Sequence, residues 1–137
     1  MYKNILVPVA LETEHDTNVD TAFAAARALA SAGANITVLH VMEALPAYAI
    51  SKIPGDLLAV TQKRLSHSLM ETAKELPGAK AQLISGHSGR SILEYSEENN
   101  IDCIVVASHQ PGLKDYFLGS TAARIVQYAK CAVHVVR

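Results

Sequence analysis

The sequence has no tryptophan, only two cysteines, and no apolar run near the ~20 residues that cross a bilayer. The missing long run excludes a membrane-spanning helix. Cys103 and Cys131 form no C-x-x-C and lie beside apolar strands, so both are expected as buried reduced thiols, not as a disulfide framework. A net charge of −1 excludes a broad nucleic-acid surface. Several signatures are also absent. There is no P-loop lysine motif, no G-x-G-x-x-G and no G-x-S-x-G elbow. Val9-Ala10-Leu11 lacks the clustered acids that a receiver domain carries after its first strand. The six histidines, His15, His40, His67, His87, His109 and His134, fall in six segments without metal-ligand spacing. They read as scattered surface or strand-end residues, with His109 set apart by its place in a candidate ligand loop.

What is present is regular. The 137 residues, half of them apolar, suffice for one domain over 1–137 with a proper core. Ile5-Leu6-Val7-Pro8-Val9 predicts a central parallel strand, with Pro8 marking where it leaves the ladder. Leu11 to Asp16 reads as a polar loop, and Thr17 with Asp20 resembles a capping box. Val19, Ala22, Phe23, Ala26, Leu29 and Ala30 recur at helical spacing up to Gly33, a stop signal. A second strand is expected over Ala34–Met42. Glu43–Gly55 is irregular, with Pro46 and Pro54 breaking any helix between them. A helix from Asp56 carries Leu58, Leu65, Leu69, Ala73 and Leu76 on one face and ends at Pro77-Gly78. A weaker strand follows over Ala79–Ser85. Gly86 and Gly89 bracket a turn, Arg90–Asn99 a helix. Ile101–Ser108 and Ala132–Val136 are the last two strands.

This alternation predicts an α/β fold: an open five-stranded parallel sheet, Rossmann-like, with helices on both faces. In such sheets a ligand lies beyond the carboxyl ends of the strands, where the strand order reverses. Strands two and three on one side of strand one, with strand four on the other, put that crevice between Pro8-Val9-Ala10 and Ala107-Ser108.

The stretch Ile104–Thr121 organises the rest. A buried strand gives way at Ala107-Ser108 to a turn at Gln110-Pro111-Gly112, and Gly119-Ser120-Thr121 then open a helical pattern. A glycine permitting close approach, a serine able to cap and unpaired helical N–H groups suit an anionic group such as phosphate. An ordinary strand-to-helix connection, its Gly-Ser only a cap, fits the same residues.

Asn4-Ile-Leu-Val-Pro-Val9, Leu39-His40-Val41, Leu118-Gly119-Ser120 and Cys131-Ala-Val-His-Val-Val-Arg137 together resemble the universal stress protein (UspA-like) family, whose fold is of the adenine nucleotide alpha hydrolase type. The resemblance covers nearly the whole chain. Ala-Ser-His-Gln-Pro matches its short-loop branch, similar to the bacterial F and G proteins. The family's pattern G-x-x-G, nine residues, G-S/T falls on Ala107, near Gln110 and on Gly119-Ser120, and only the last pair is kept. Where the family usually has aspartate, this chain has Ala10. The resemblance implies an adenine nucleotide, ATP, ADP or AMP, with magnesium as a possible companion. Its phosphates would lie at Ser108, His109, Gly119, Ser120 and Thr121, and its base near Pro8, Val9 and Val41. Ala10, Val106, Ala107 and Gln110 complete the expected site.

Two functions remain open: a nucleotide-binding regulatory module of the stress response, or a nucleotide-free dimeric interaction domain. Gly119-Ser120 favours the first and Ala10 the second. Slow ATP hydrolysis is the most enzymatic activity expected. The edge strand Val133–Val136 is expected to pair with its own copy as a homodimer. Met1-Tyr2-Lys3-Asn4 running directly into a strand leaves no room for a signal peptide and predicts a cytoplasmic protein.

Overall fold

Apolar runs with no polar side become strands covered on both faces, and that is how β1 (Tyr2–Pro8) and β4 (Cys103–Ala107) are placed. The computed structural model describes residues 1–11, 17–108 and 118–137, without the side chains of Thr17 and Asn18. The remaining elements are α1 (Thr17–Leu29), β2 (Ala30–Glu43), α2 (Ala47–Ile50), α3 (Gly55–Ala73), β3 (Lys80–Gly86), α4 (Ser88–Glu98), α5 (Ser120–Tyr128) and β5 (Ala132–Val136). The five strands are all parallel, in the order β3-β2-β1-β4-β5. The strand order therefore reverses between β1 and β4, as expected.

Successive strand residues point to opposite faces, so each strand feeds two cores. Ile5, Val7, Val38 and Val105 pack with Phe23 and Ala26 of α1 and Leu69 and Ala73 of α3. Leu6, Leu39, Val41, Ile104 and Val106 pack with Ile92 of α4 and Ala122 and Ile125 of α5. Each large side chain fully buried here contributes about 1.5–3 kcal/mol. Cys103 is buried and Cys131 half-buried, both free, so the expectation of full burial holds for the first only. Burial pushes the Cys103 thiol up to about 11 and raises that of Cys131 as well.

The amino-terminal ends of β1 and β4 are clamped. The Asp102 carboxylate accepts the N–H groups of Lys3 (2.9 Å) and Asn4 (3.0 Å). The Asn4 amide donates to the carbonyls of Asn99 (2.8 Å) and Asn100 (3.1 Å). The Asp102 N–H returns to the Asn4 carbonyl at 2.9 Å.

Several local expectations are corrected. A single helical turn, α2, forms between the two prolines, because Pro46 sits at its N-cap, where no N–H is needed. Gly33, at φ +76°, lies inside the irregular start of β2 instead of ending α1, which stops at Leu29. Gly89 is the second residue of α4, not part of a turn. A Cβ there would meet the Arg124 Cδ at 2.7 Å, so a larger residue at this position would displace the Arg124 side chain of α5. His40 is a strand residue buried to 6 % exposure, not a surface one. The Thr17 cap and the loop residues 12–16 lie outside the described residues. No helix among the described residues is long and apolar enough to cross a membrane.

Candidate functional site

Backbone parity along β1 decides where the sheet opens. Asn4 turns its carbonyl toward β4, whereas the Val9 N–H donates to the Leu39 carbonyl of β2 at 2.8 Å. Even-numbered residues of β1 thus present their backbone polar groups to β4, and odd-numbered ones to β2. The paired positions of β1 and β4 are Ile5 with Cys103 and Leu6 with Ile104. The next even residue is Pro8, which has no N–H to continue that ladder. On its other side β1 stays paired with β2 as far as Pro8–Leu39, and β4 stays paired with β5 as far as Ala107–Val136. The carboxyl end of the sheet is thereby split into two halves. Pro8 does mark a departure from the ladder, and the departure is from β4 alone.

One wall of the crevice carries Pro8 and Val9, both half-buried, and the exposed Ala10. The other carries half-buried Ala107 and buried Ser108. Ser108 is held by its N–H to the Val136 carbonyl at 2.7 Å, and its own carbonyl accepts the Gly119 N–H at 2.5 Å. The start of α5 is so tied to the end of β4. Val41 and Val106 are 8 % and 5 % exposed and point into the core against α4 and α5. They underlie the crevice, so contact with a ligand from these positions falls to backbone atoms. His109 and Gln110 lie outside the described residues.

At α5 the cap differs from the sequence reading by one residue. Gly119 is the N-cap, at φ −62° and ψ 156°, with no side-chain cap, and Ser120 is the first helical residue. The first intrahelical bond of α5 runs from the Ala123 N–H to the Gly119 carbonyl at 2.9 Å. Among the described residues the N–H groups of Ser120, Thr121 and Ala122 are the orphan donors of a helix start, and the helix dipole makes that end positive.

Ser120 and Thr121 also line a cleft of about 520 Å³ on the α4–α5 side, together with Glu43, His87, Ser88 and Arg124. The Ser88 and Thr121 hydroxyls are 3.2 Å apart, and a Glu43 carboxylate oxygen accepts the Ser88 N–H at 3.3 Å. The Arg124 guanidinium lies 5.9 Å from the Tyr128 ring centroid. Glu43, Ser88 and Arg124 were not expected at a site. Arg124 alone had a sequence signal, standing four residues after Ser120 and so on the same helix face. Among the described residues no three His, Cys, Asp or Glu side chains converge to hold a metal.

The family model for the universal stress protein family matches residues 1–137. A universal stress protein A homolog of Coxiella burnetii is 28% identical over 141 residues, covering 98% of this chain and 96% of its own. The solved structure of UspA from Lactobacillus plantarum is 27% identical, covers 99% of this chain and 98% of its own, and superposes with a TM-score of 0.72. Two more distant structures share the fold. One, from Archaeoglobus fulgidus, is in complex with dAMP (17% identity, 99% and 98% coverage, TM-score 0.63). The other, from Arabidopsis thaliana, has AMP bound (21%, 98% and 90%, 0.62).

Proposed function

The chain belongs to the universal stress protein family, and on that premise we propose that it binds an adenine nucleotide in the crevice between β1 and β4 and acts as a cytoplasmic regulatory module of the stress response. The observation that carries this reading is the split sheet end facing the uncapped start of α5, with Gly119 tied to Ser108. Structures of the same fold in complex with dAMP and with AMP support the ligand class.

The base is proposed at Pro8, Val9 and the backbone of Val41, and the phosphates at Ser108, His109, Gly119, Ser120 and Thr121. Val106 underlies the site, and Ala107 and Gln110 complete it. Charge–dipole contacts at a helix start are worth about 0.3–1 kcal/mol each, up to ~2 when partly buried. Several of them with a buried base reach micromolar binding, roughly −8 kcal/mol. The Glu43 carboxylate and the Ser88 and Thr121 hydroxyls are hard oxygen donors. They suit magnesium carried in on the phosphates of ATP, which is the form proposed.

A homodimer through β5 is part of the proposal. β5 is an edge strand beside β4, and Val126 and Tyr128 of the adjoining α5 are exposed. The second reading, a nucleotide-free interaction domain, rests on one observation: an exposed methyl at Ala10 in place of a carboxylate.

Freshly purified protein, free of tryptophan, should absorb in excess near ~260 nm if adenine co-purifies. Titration calorimetry with ATP, ADP and AMP then measures affinity. Ala10→Asp should strengthen binding by at most ~1.5–3 kcal/mol, the worth of a hydrogen bond to a charged group. Absence of heat with all three nucleotides, in both proteins, leaves the interaction-domain reading standing.

A further inference from the structure

We infer that His40 is a positioning residue that aims the Ala10 N–H into the crevice as a hydrogen-bond donor to the nucleoside; the inference rests on the nucleotide site proposed above. His40 Nδ1 lies 2.8 Å from the Val9 carbonyl oxygen. A carbonyl can only accept, so Nδ1 carries the proton. Nε2 is then a lone-pair acceptor, and it is buried with no hydrogen-bond partner among the described residues. Burying an imidazole with one nitrogen unpaired is unfavourable, and an aliphatic side chain would suit the core at this point better. The Nδ1–H bond satisfies the Val9 carbonyl, and that contact gives the residue its positioning role.

That contact fixes a direction. The Val9 N–H and carbonyl both face β2, the first held by the Leu39 carbonyl and the second by His40. No peptide bond in the described residues is cis. In a trans peptide the N–H is antiparallel to the carbonyl. With the Val9 carbonyl held toward β2, the Ala10 N–H points the other way, toward β4. At this level β1 and β4 have parted, so that direction is the crevice. Among the described residues the Ala10 N–H has no hydrogen-bond partner. Where the family resemblance puts a carboxylate, which accepts, this chain offers a backbone donor. The ligand atom it suits is an acceptor of the nucleoside, a ring nitrogen or a ribose oxygen.

The test is calorimetric binding of AMP and dAMP to four variants, with thermal melts as the folding control. His40→Leu removes the Nδ1 donor and should weaken AMP binding about tenfold, the scale of one lost hydrogen bond. His40→Asn places an amide N–H near the Nδ1 position and should restore affinity to within about threefold. Ala10→Pro deletes the donor itself and should match His40→Leu. Combined with His40→Leu it should add no further loss, since both act on one contact. If the acceptor is the ribose 2′ oxygen, dAMP is insensitive to Ala10→Pro; if it is a ring nitrogen, AMP and dAMP lose alike. Native-like affinity in folded His40→Leu, no rescue by His40→Asn, or additive losses overturn the inference while leaving the nucleotide site intact. A native protein that binds none of ATP, ADP, AMP and dAMP overturns the site reading, and the inference with it.

Discussion

Replacing Asp102 should cost more than any other single polar contact described, because it stands in for missing sheet. β1 and β4 share paired positions only at Ile5–Cys103 and Leu6–Ile104, so the two halves of the sheet are joined by few ladder bonds. The Asp102 carboxylate adds two, from the N–H groups of Lys3 at 2.9 Å and Asn4 at 3.0 Å. Hydrogen bonds to a charged group contribute about 1.5–3 kcal/mol each, and partial exposure puts these at the low end. Asp102→Ala should therefore lose roughly 2–3 kcal/mol. Asp102→Asn keeps one acceptor and should lose about half of that. A chain of this length shifts its melting temperature by roughly 3–5 °C per kcal/mol, which gives about 10 °C for Asp102→Ala. Thermal unfolding followed by circular dichroism measures it. Lys74→Ala is the control, since its exposed ion pair with Glu71 at 2.9 Å should be worth under ~1 kcal/mol. A shift for Asp102→Ala no larger than that control would refute the idea that the clamp replaces the absent ladder.

Three further outcomes are expected. Gly119→Val should abolish nucleotide binding, because a β-branched side chain obstructs close approach of the phosphates, while φ −62° is a backbone conformation that valine accepts. Cys103, its thiol raised from 9.0 to about 11 by burial, makes stability fall as pH rises from about 9 to 11, where the unfolded thiol ionises and the folded one cannot. The loss should total about 2–3 kcal/mol, and denaturant melts of Cys103→Ala, compared with native protein across that range, should lack this component. Because the Val136 carbonyl faces β4, Val135 faces outward along the edge, so Val135→Pro should yield a folded monomer by light scattering, whereas His134→Pro, on the β4 side, should destabilise the fold.

The sequence made the strands legible because β1, β4 and β5 are short apolar runs and the polar turn signals lie between them, whereas their order in the sheet was a supposition that the structure bears out. The crevice followed from the reversal between β1 and β4. What escaped notice depended on contacts across long separations. Gly89 reads as a turn residue until Arg124, 35 positions later, is seen to need its missing side chain. His40 reads as an ordinary strand-end histidine, since nothing local reveals that its partner is the Val9 carbonyl, 31 positions earlier. Glu43 reached the cleft only because β2 ends beside α4. The start of α5 at Ser120 was legible, but not that Gly119 is its N-cap, because Gly and Ser are both acceptable N-caps and their order alone does not decide between them.

The same parity that opens the crevice bears on Ala10, where the family resemblance puts an aspartate. At Ala10 the side chain is exposed and contributes a methyl, yet the backbone there is oriented by a bond that any residue at position 10 would leave intact. In the proposed site the end of β1 offers two sources of polar recognition: the side chain of position 10, and its N–H, which we infer His40 aims through Val9. Losing the first removes an acceptor and leaves the donor in place. Affinity should therefore fall in a chain bearing alanine there without vanishing, provided the ligand presents an acceptor at that level of the crevice. Substitution at His40 should then be more damaging here than in a relative that keeps the carboxylate, because among the described residues the Ala10 side chain adds no polar group to that wall.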